Sequence, residues 1–264
     1  MSESVVQVEK SEEIATVTMN RPKALNALST ALREGLSNAF EELANDSHTR
    51  VVILTGAGRA FCAGVDLKEL GQRGTRGYED GRSTSNEVDL MQAMARLSQP
   101  VIGAINGFAI TGGFEIALGC DLLIASTEAR FADTHARVGI LPGWGLSQRL
   151  SRAIGIYRAK ELSLTGNYLD AARAYEWGLV SRVVEHDALL PTCRSIATDM
   201  LSCDPRSLAG YKKVIDEGFA ATFRDAMDLE SRTSQEHSTS VRAEDVESRR
   251  ASILARGRKQ SDDS

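Results

Sequence analysis

One short segment of this chain, Gly112-Gly113-Phe114-Glu115, places a glycine pair directly before an acidic side chain. Ahead of it runs Ala104-Ile105-Asn106-Gly107-Phe108-Ala109-Ile110-Thr111, an apolar, strand-like stretch. From Phe114 the pattern turns helical. A glycine pair lets the backbone turn tightly and approach a ligand closely. The helix that follows offers unpaired N–H groups and the positive end of its dipole. Glu115 falls in the first turn. The segment thus combines one acid/base group with one anion-stabilising site, the pair that chemistry beside a carbonyl needs. A lone Glu in a first helical turn is also explained by dipole complementation alone.

Elements able to position this segment are legible on both sides. Val5 to Glu9 and Ile14 to Met19 read as strands, followed by the turn Asn20-Arg21-Pro22-Lys23. Ser29 is the expected N-cap of a helix to about Ala44, with Leu32, Leu36, Ala39, Phe40 and Leu43 on one stripe. Val51 to Thr55, Val101 to Ile105 and Leu122 to Ala125 read as buried strands, and Glu87 to Leu97 as an amphipathic stretch. Gly71 to Ser85 has the composition of a mobile loop. Strands alternating with helices indicate an α/β fold with parallel pairing. From Ala188 onward the pattern is mostly helical. Pro205 can start a helix to about Gly218, and another spans about Ala221 to His237. The highly charged tail after Val241 contains Arg256-Gly257-Arg258-Lys259.

The 264 residues are 42% hydrophobic and 25% charged, an ordinary globular composition. A formal charge of -5 argues against general nucleic-acid binding. Cys62, Cys120, Cys193 and Cys203 form no C-x-x-C pair and no zinc spacing, so free thiols in a reducing compartment are expected. No metal site is expected. His48, His186 and His237 lie in polar contexts and read as surface residues. The first residues lack a basic leader and no apolar run is of spanning length, so a soluble cytoplasmic protein without membrane contact is expected.

Other motifs carry less. Gly56-Ala57-Gly58-Arg59-Ala60-Phe61 resembles the start of a dinucleotide fingerprint, but Phe61 stands where the third glycine belongs. Ser147 lacks the second glycine of a nucleophile elbow. In Phe61-Cys62-Ala63-Gly64-Val65-Asp66-Leu67-Lys68 a loop of small residues leaves N–H groups available to a ligand, and Asp66 can cap the short helix that follows.

Taken together, Asn20 to Leu28, Phe61 to Lys68, Gly107 to Asp121 and Gly139-Ile140-Leu141-Pro142-Gly143 resemble the enoyl-CoA hydratase/isomerase (crotonase) family, in order, over about Val5 to Val184. The resemblance implies an α/β fold: a spiral of ββα turns over residues 1–200, then a helical trimerisation region over 201–264. A homotrimer or dimer of trimers is implied, with an acyl-CoA thioester as ligand. CoA is part of the substrate, so no separate cofactor is expected. The positions of two N–H donors for the thioester oxygen match Val65 and Gly112. Lys23, Ala24, Leu25, Ala63 and Lys68 match CoA-contacting positions, the two lysines facing phosphates as point charges. Glu115 matches one of two glutamates that move protons in hydration. The implied activity is enoyl-CoA hydratase, in fatty-acid or related catabolism.

Three departures from the family pattern stand out. His135 occupies the place of the second glutamate. A neutral imidazole can accept a hydrogen bond from water, and an ordinary pKa of about 6.5 suits proton transfer. His135 therefore replaces the carboxylate, marks a sister reaction, or only fills space. Asp133 is close enough in sequence to orient it. The sister reactions are isomerisation, retro-aldol cleavage, decarboxylation and thioester hydrolysis. A non-catalytic acyl-CoA binder is the other alternative. Trp144 stands among residues the family often keeps small, and it either narrows the acyl pocket or faces the core. No aromatic follows the basic run at Arg256 to Lys259.

Overall fold

A computed structural model describes residues 4–73 and 89–262. The chain divides into two compact units, Met1–Leu208 and Ala209–Ser264. The first contains two sheets. In the larger, β1 (Val6–Ser11), β2 (Ile14–Met19), β3 (Val51–Gly56), β5 (Val101–Ile105), β7 (Leu122–Ser126) and β10 (Arg182–Val184) lie side by side in that order. The smaller holds β4 (Ala60–Cys62), β6 (Phe108–Ile110), β8 (Arg130–Ala132) and β9 (Leu169–Asp170). Pairing is antiparallel for β1–β2 and β8–β9 and parallel elsewhere.

The chain climbs between these sheets. β3, β5 and β7 each enter the larger sheet, and each is followed by a short strand in the smaller one, then by helix. These are the ββα turns of a spiral. Successive side chains of a strand face opposite sides. Val52 and Leu54 accordingly join the main core, whereas Val51 and Ile53 pack with Leu189, Cys193 and Ala197 of α9 (Leu189–Leu201) on the other face. A strand covered on both faces must be apolar throughout, which is why β3 reads as a continuous apolar run.

Helix α1 (Thr30–Ala44) starts as its sequence requires: the Ser29 hydroxyl accepts from the Leu32 N–H at 3.2 Å. Its stripe of Leu32, Leu36, Ala39, Phe40 and Leu43 is buried. The turn after β2 is a single 3-10 turn, Pro22–Ala24. Helix α2 (Leu67–Arg73) closes over residues 71–73 of the stretch expected as a loop; 74–85 lie outside the described residues. Of the amphipathic stretch, α3 (Leu90–Ala95) is helical. Helix α4 (Gly112–Gly119) begins two residues earlier than the apolar pattern indicates, for a reason that lies in Thr111. Then follow α5 (His135–Val138), α6 (Leu146–Ile154), α7 (Ile156–Thr165) and α8 (Ala171–Glu176). Of the polar histidines in this unit, His48 is exposed, whereas His186 is half-buried beside Glu128.

The second unit takes in most of α10 (Pro205–Ala220), then α11 (Phe223–Ser238) and α12 (Ala243–Asp262). Pro205 opens its helix as expected, and the Thr222 hydroxyl caps α11. No side chain described in this unit is buried, His237 being half-exposed. All four cysteines are free. No described helix is long and apolar enough to cross a membrane, and no cluster of metal-binding side chains occurs among the described residues.

Candidate active site

The first half of the site is main chain. Thr111, between β6 and α4, adopts φ 53 and ψ -114, a conformation costly for a β-branched residue. Its N–H donates to the Ala132 carbonyl at 2.9 Å, and its hydroxyl is paired with that of Thr134. Thus held, it turns the chain abruptly and α4 can start at Gly112. Glycine is obligatory next: a Cβ on Gly113 would stand 2.1 Å from the Cys62 carbonyl oxygen. That close approach seats the start of α4 against β4.

The loop after β4 meets the same point. The Leu28 N–H donates to the Gly64 carbonyl at 2.7 Å, and the Asp66 N–H to the Leu28 carbonyl at 3.3 Å. This short parallel bridge uses the groups on either side of Val65, leaving the Val65 N–H on the opposite face. Gly64, at φ 88, lies so near that a Cβ there would come within 3.5 Å of the Gly112 nitrogen. The Val65 and Gly112 N–H groups donate to no protein acceptor among the described residues. The structure therefore brings these two expected donors into one neighbourhood, with the Gly112 amide at the positive end of α4.

The expected CoA stretches also meet. The Ala63 N–H donates to the Leu25 carbonyl at 3.0 Å. Buried Asn26 ties the loop down: its amide donates to the Ala57 and Ala60 carbonyls at 3.0 and 2.7 Å and its oxygen accepts from the Arg21 N–H. The Arg21 guanidinium pairs with Asp66 at 3.1 Å. Lys23 and Lys68 are exposed, and neither is in an ion pair among the described residues. Ala24 and Leu25 are half-buried.

The second half is side chain. Glu115, Asp133 and His135 are 3%, 3% and 4% exposed, so three ionisable groups share one dry space. The Trp144 N–H donates to Glu115 Oε1 at 2.7 Å and the Leu146 N–H reaches the same oxygen at 3.4 Å. The other oxygen, Oε2, lies 3.5 Å from His135 Nε2. On the far side of the ring, Nδ1 is 2.7 Å from Asp133 Oδ1. The Ser163 hydroxyl of α7 also acts to lower the Asp133 pKa.

These contacts set the charges. Burial by itself lowers the imidazole pKa; the hydrogen bonds and charges of Asp133 and Glu115 outweigh it and push it up to about 9. Burial raises Asp133, and its bonds from His135 and Ser163 more than reverse this, holding the carboxyl below its ordinary range. At neutral pH His135 is therefore a cation that donates from both nitrogens. It is not the neutral acceptor that its ordinary pKa suggests. Nor is it space-filling, since it touches the acid/base candidate directly.

Of the two expectations for Trp144, the structure shows the one in which it faces the core. It packs against the core, and its ring lies 3.7 Å from where a Cβ on Gly112 would stand, beside the amide donors. Its main-chain grip on Glu115, and that of Leu146, were not foreseen from sequence. The left-handed Gly145 between them, φ 98, is the available hint of a turn there. Nor does sequence signal Ser163, which comes from a distant helix. A cleft of about 580 Å³ elsewhere in the first unit, lined by Thr18, Thr55, Asn106 and His186, contains none of the site residues. Its size carries less weight than the chemistry at Glu115.

With this geometry in view, the chain was compared with known proteins. The model of the enoyl-CoA hydratase/isomerase family matches residues 9–252. A probable peroxisomal enoyl-CoA hydratase 1 of Arabidopsis thaliana is 42% identical over 260 residues, covering 98% of this chain and 96% of that protein. A short-chain-enoyl-CoA hydratase of Clostridium acetobutylicum is 40% identical over 86% of each chain. Among solved structures, an enoyl-CoA hydratase of Geobacillus kaustophilus superposes with a TM-score of 0.83 at 30% identity, covering 96% of this chain and 95% of its own.

Proposed function

The chain belongs to the enoyl-CoA hydratase/isomerase family, and we infer from this that it is an enoyl-CoA hydratase, adding water across the double bond of a 2-enoyl-CoA thioester in fatty-acid or related acyl-CoA catabolism. The observation that carries the reading at the level of residues is Glu115. It is a buried carboxylate with one oxygen pinned by main chain and the other facing a cation, at the start of the helix whose first amide is unengaged.

In the proposed reaction the thioester oxygen accepts from the Val65 and Gly112 N–H groups. Water donates to Glu115 Oε2, which the charged His135 ring faces from 3.5 Å. As the water oxygen bonds to C3, its proton passes to Glu115. The π electrons move towards the carbonyl, forming an enolate that the two amides stabilise. C2 then takes the proton from Glu115 and the carboxylate is restored. Glu115 is the single proton carrier, and His135 stays charged throughout. Lys23 and Lys68 offer point charges for CoA phosphates, with Ala24, Leu25 and Ala63 lining the nucleotide. CoA enters with the substrate, and the scheme needs no separate cofactor or metal.

A homotrimer, or a dimer of trimers, is the proposed assembly. Support comes from the second unit, where Tyr211, Ile215, Phe219, Phe223, Met227 and Leu254 are exposed on helices with no described buried side chain. Exposed apolar surface of this extent marks an interaction face. The four free thiols fit a reducing, cytoplasmic setting.

Conversion of crotonyl-CoA, followed by loss of the conjugated thioester absorbance, tests the reading. Turnover is expected; no turnover on any of a panel of enoyl thioesters overturns it and favours a binder. His135 in place of a carboxylate is the one observation favouring a sister reaction. Mass spectrometry of products across the panel separates the two, because hydration adds the mass of water.

A further inference from the structure

His135 is flanked by a carboxylate on each ring nitrogen, Asp133 at 2.7 Å from Nδ1 and Glu115 at 3.5 Å from Nε2. An ionised carboxylate only accepts hydrogen bonds. A neutral ring would therefore turn a lone pair towards one of them, in a buried space where such repulsion is little screened. Only the doubly protonated ring satisfies both partners. Asp133 does more than face the ring. The same oxygen, Oδ1, also accepts the main-chain N–H of His135 at 3.2 Å, which fixes both ends of the histidine relative to one carboxylate.

We propose that Asp133 is a positioning residue that keeps His135 doubly protonated and its Nε2–H directed at Glu115 Oε2, the oxygen that takes the proton of water. The charged groups acting on the ring are Asp133, just before its own helix, and Glu115, from α4. From α7 only the Ser163 hydroxyl takes part, through Asp133, and the nearby Arg137 guanidinium is turned to the Thr165 carbonyl. The consequence concerns proton flow. Either of two carboxylates around a water can accept from it, whereas a doubly protonated imidazole beside Glu115 cannot. The proton leaving the water then has one destination, Glu115. This part rests on the hydratase reading; the protonation of His135 does not.

Asp133 has a plainer possible role, accepting the His135 N–H at the start of the four-residue helix α5. Asparagine can do that equally well through its side-chain oxygen, and it cannot supply the charge. Asp133→Asn is thus the discriminating variant. Nitrogen-15 NMR of labelled imidazoles, assigned by loss of the signal in His135→Gln, follows protonation without any turnover. The wild-type ring is expected to stay protonated through neutral pH. In Asp133→Asn its midpoint should fall by at least one pH unit, with the alkaline limb of kcat/KM following, so that the rate loss is small at neutral pH and grows to about tenfold above the wild-type midpoint. Ser163→Ala should shift both in the same direction by less.

A wild-type His135 titrating near 6.5 overturns the proposal. So does a folded Asp133→Asn protein with an unmoved midpoint and an unmoved alkaline limb. Should Asp133→Asn not fold, the wild-type midpoint and that of Ser163→Ala decide. Failure of the enzyme to hydrate any thioester would count against the hydratase reading and leave the NMR result standing.

Discussion

The two halves of the site are built on opposite principles. On the amide side the proposed working groups are main-chain N–H donors at Val65 and Gly112, and the sequence contributes shape: Gly64 and Gly113 are where a Cβ would collide. On the proton side the proposed working groups are side chains, Glu115 and His135, and the sequence contributes charge balance through Asp133. The first half uses the main chain of Val65 and leaves no room for a Cβ at Gly64 or Gly113. The second accepts no change of charge without a change of proton traffic. One scaffold can therefore keep its oxyanion site unchanged while its acid/base chemistry is altered, and the His135 position is where this chain departs from a two-carboxylate arrangement.

The largest expected effect lies on the proton side. Glu115→Gln should lower kcat about 10³-fold, since a positioned acid/base group contributes roughly 10²–10⁴. Its side-chain oxygen can still accept from the Trp144 N–H, but loss of the charge facing His135 should lower the melting temperature. Full rate in this variant, read by enoyl absorbance, would remove Glu115 from the mechanism. The matching disruption of the amide side is Gly113→Ala. Its Cβ meets the Cys62 carbonyl oxygen at 2.1 Å, so α4 must shift against β4. A displacement on the order of 1 Å can cost about 10²-fold, and the melting temperature should drop too. Gly112→Ala keeps its N–H, and its nearest neighbour is the flexible Leu28 Cδ1 at 3.0 Å. It should lose less than about tenfold. Equal losses in the two glycine variants would break the argument from shape.

His135→Gln should cost roughly tenfold or more, and should remove the fall in rate expected of wild type as pH rises through about 9. Stability gives an independent reading. A folded-state pKa of about 9 lies above the unfolded value, so the stabilisation from a charged His135 is complete below about 6.5 and is lost as pH rises through 9. The difference in melting temperature between wild type and His135→Gln should shrink over that window. A constant difference would mean that the ring is neutral. The smallest effects belong to Lys23→Ala and Lys68→Ala. Each should raise KM a few-fold, less at high salt, because both lysines are exposed.

The sequence made local features readable and concealed those created by packing. Helix α1 and the Ser29 cap were visible because a cap and an apolar stripe are properties of neighbouring residues. The glycine pair and Glu115 were visible for the same reason, as were the apolar strands β2 and β3. The spiral itself was reached through family resemblance; periodicity supplied only the alternation of strand and helix. The start of α4 was placed two residues late because the turn at Thr111 depends on bonds to β8 and Thr134. The anchoring of Glu115 by Trp144 and Leu146 and the support of Asp133 by Ser163 join segments some thirty residues apart. The charge of His135 followed only once its neighbours were known.

Thr111 has one further consequence. Its left-handed backbone is retained by a main-chain bond to Ala132 and a hydroxyl pairing with Thr134, the residues that lead into His135. The hinge that aims the Gly112 amide and the strand end that carries the imidazole are therefore a single mechanical part. Loosening the end of β8 would detune charge stabilisation and water placement in step, even though neither group had been touched.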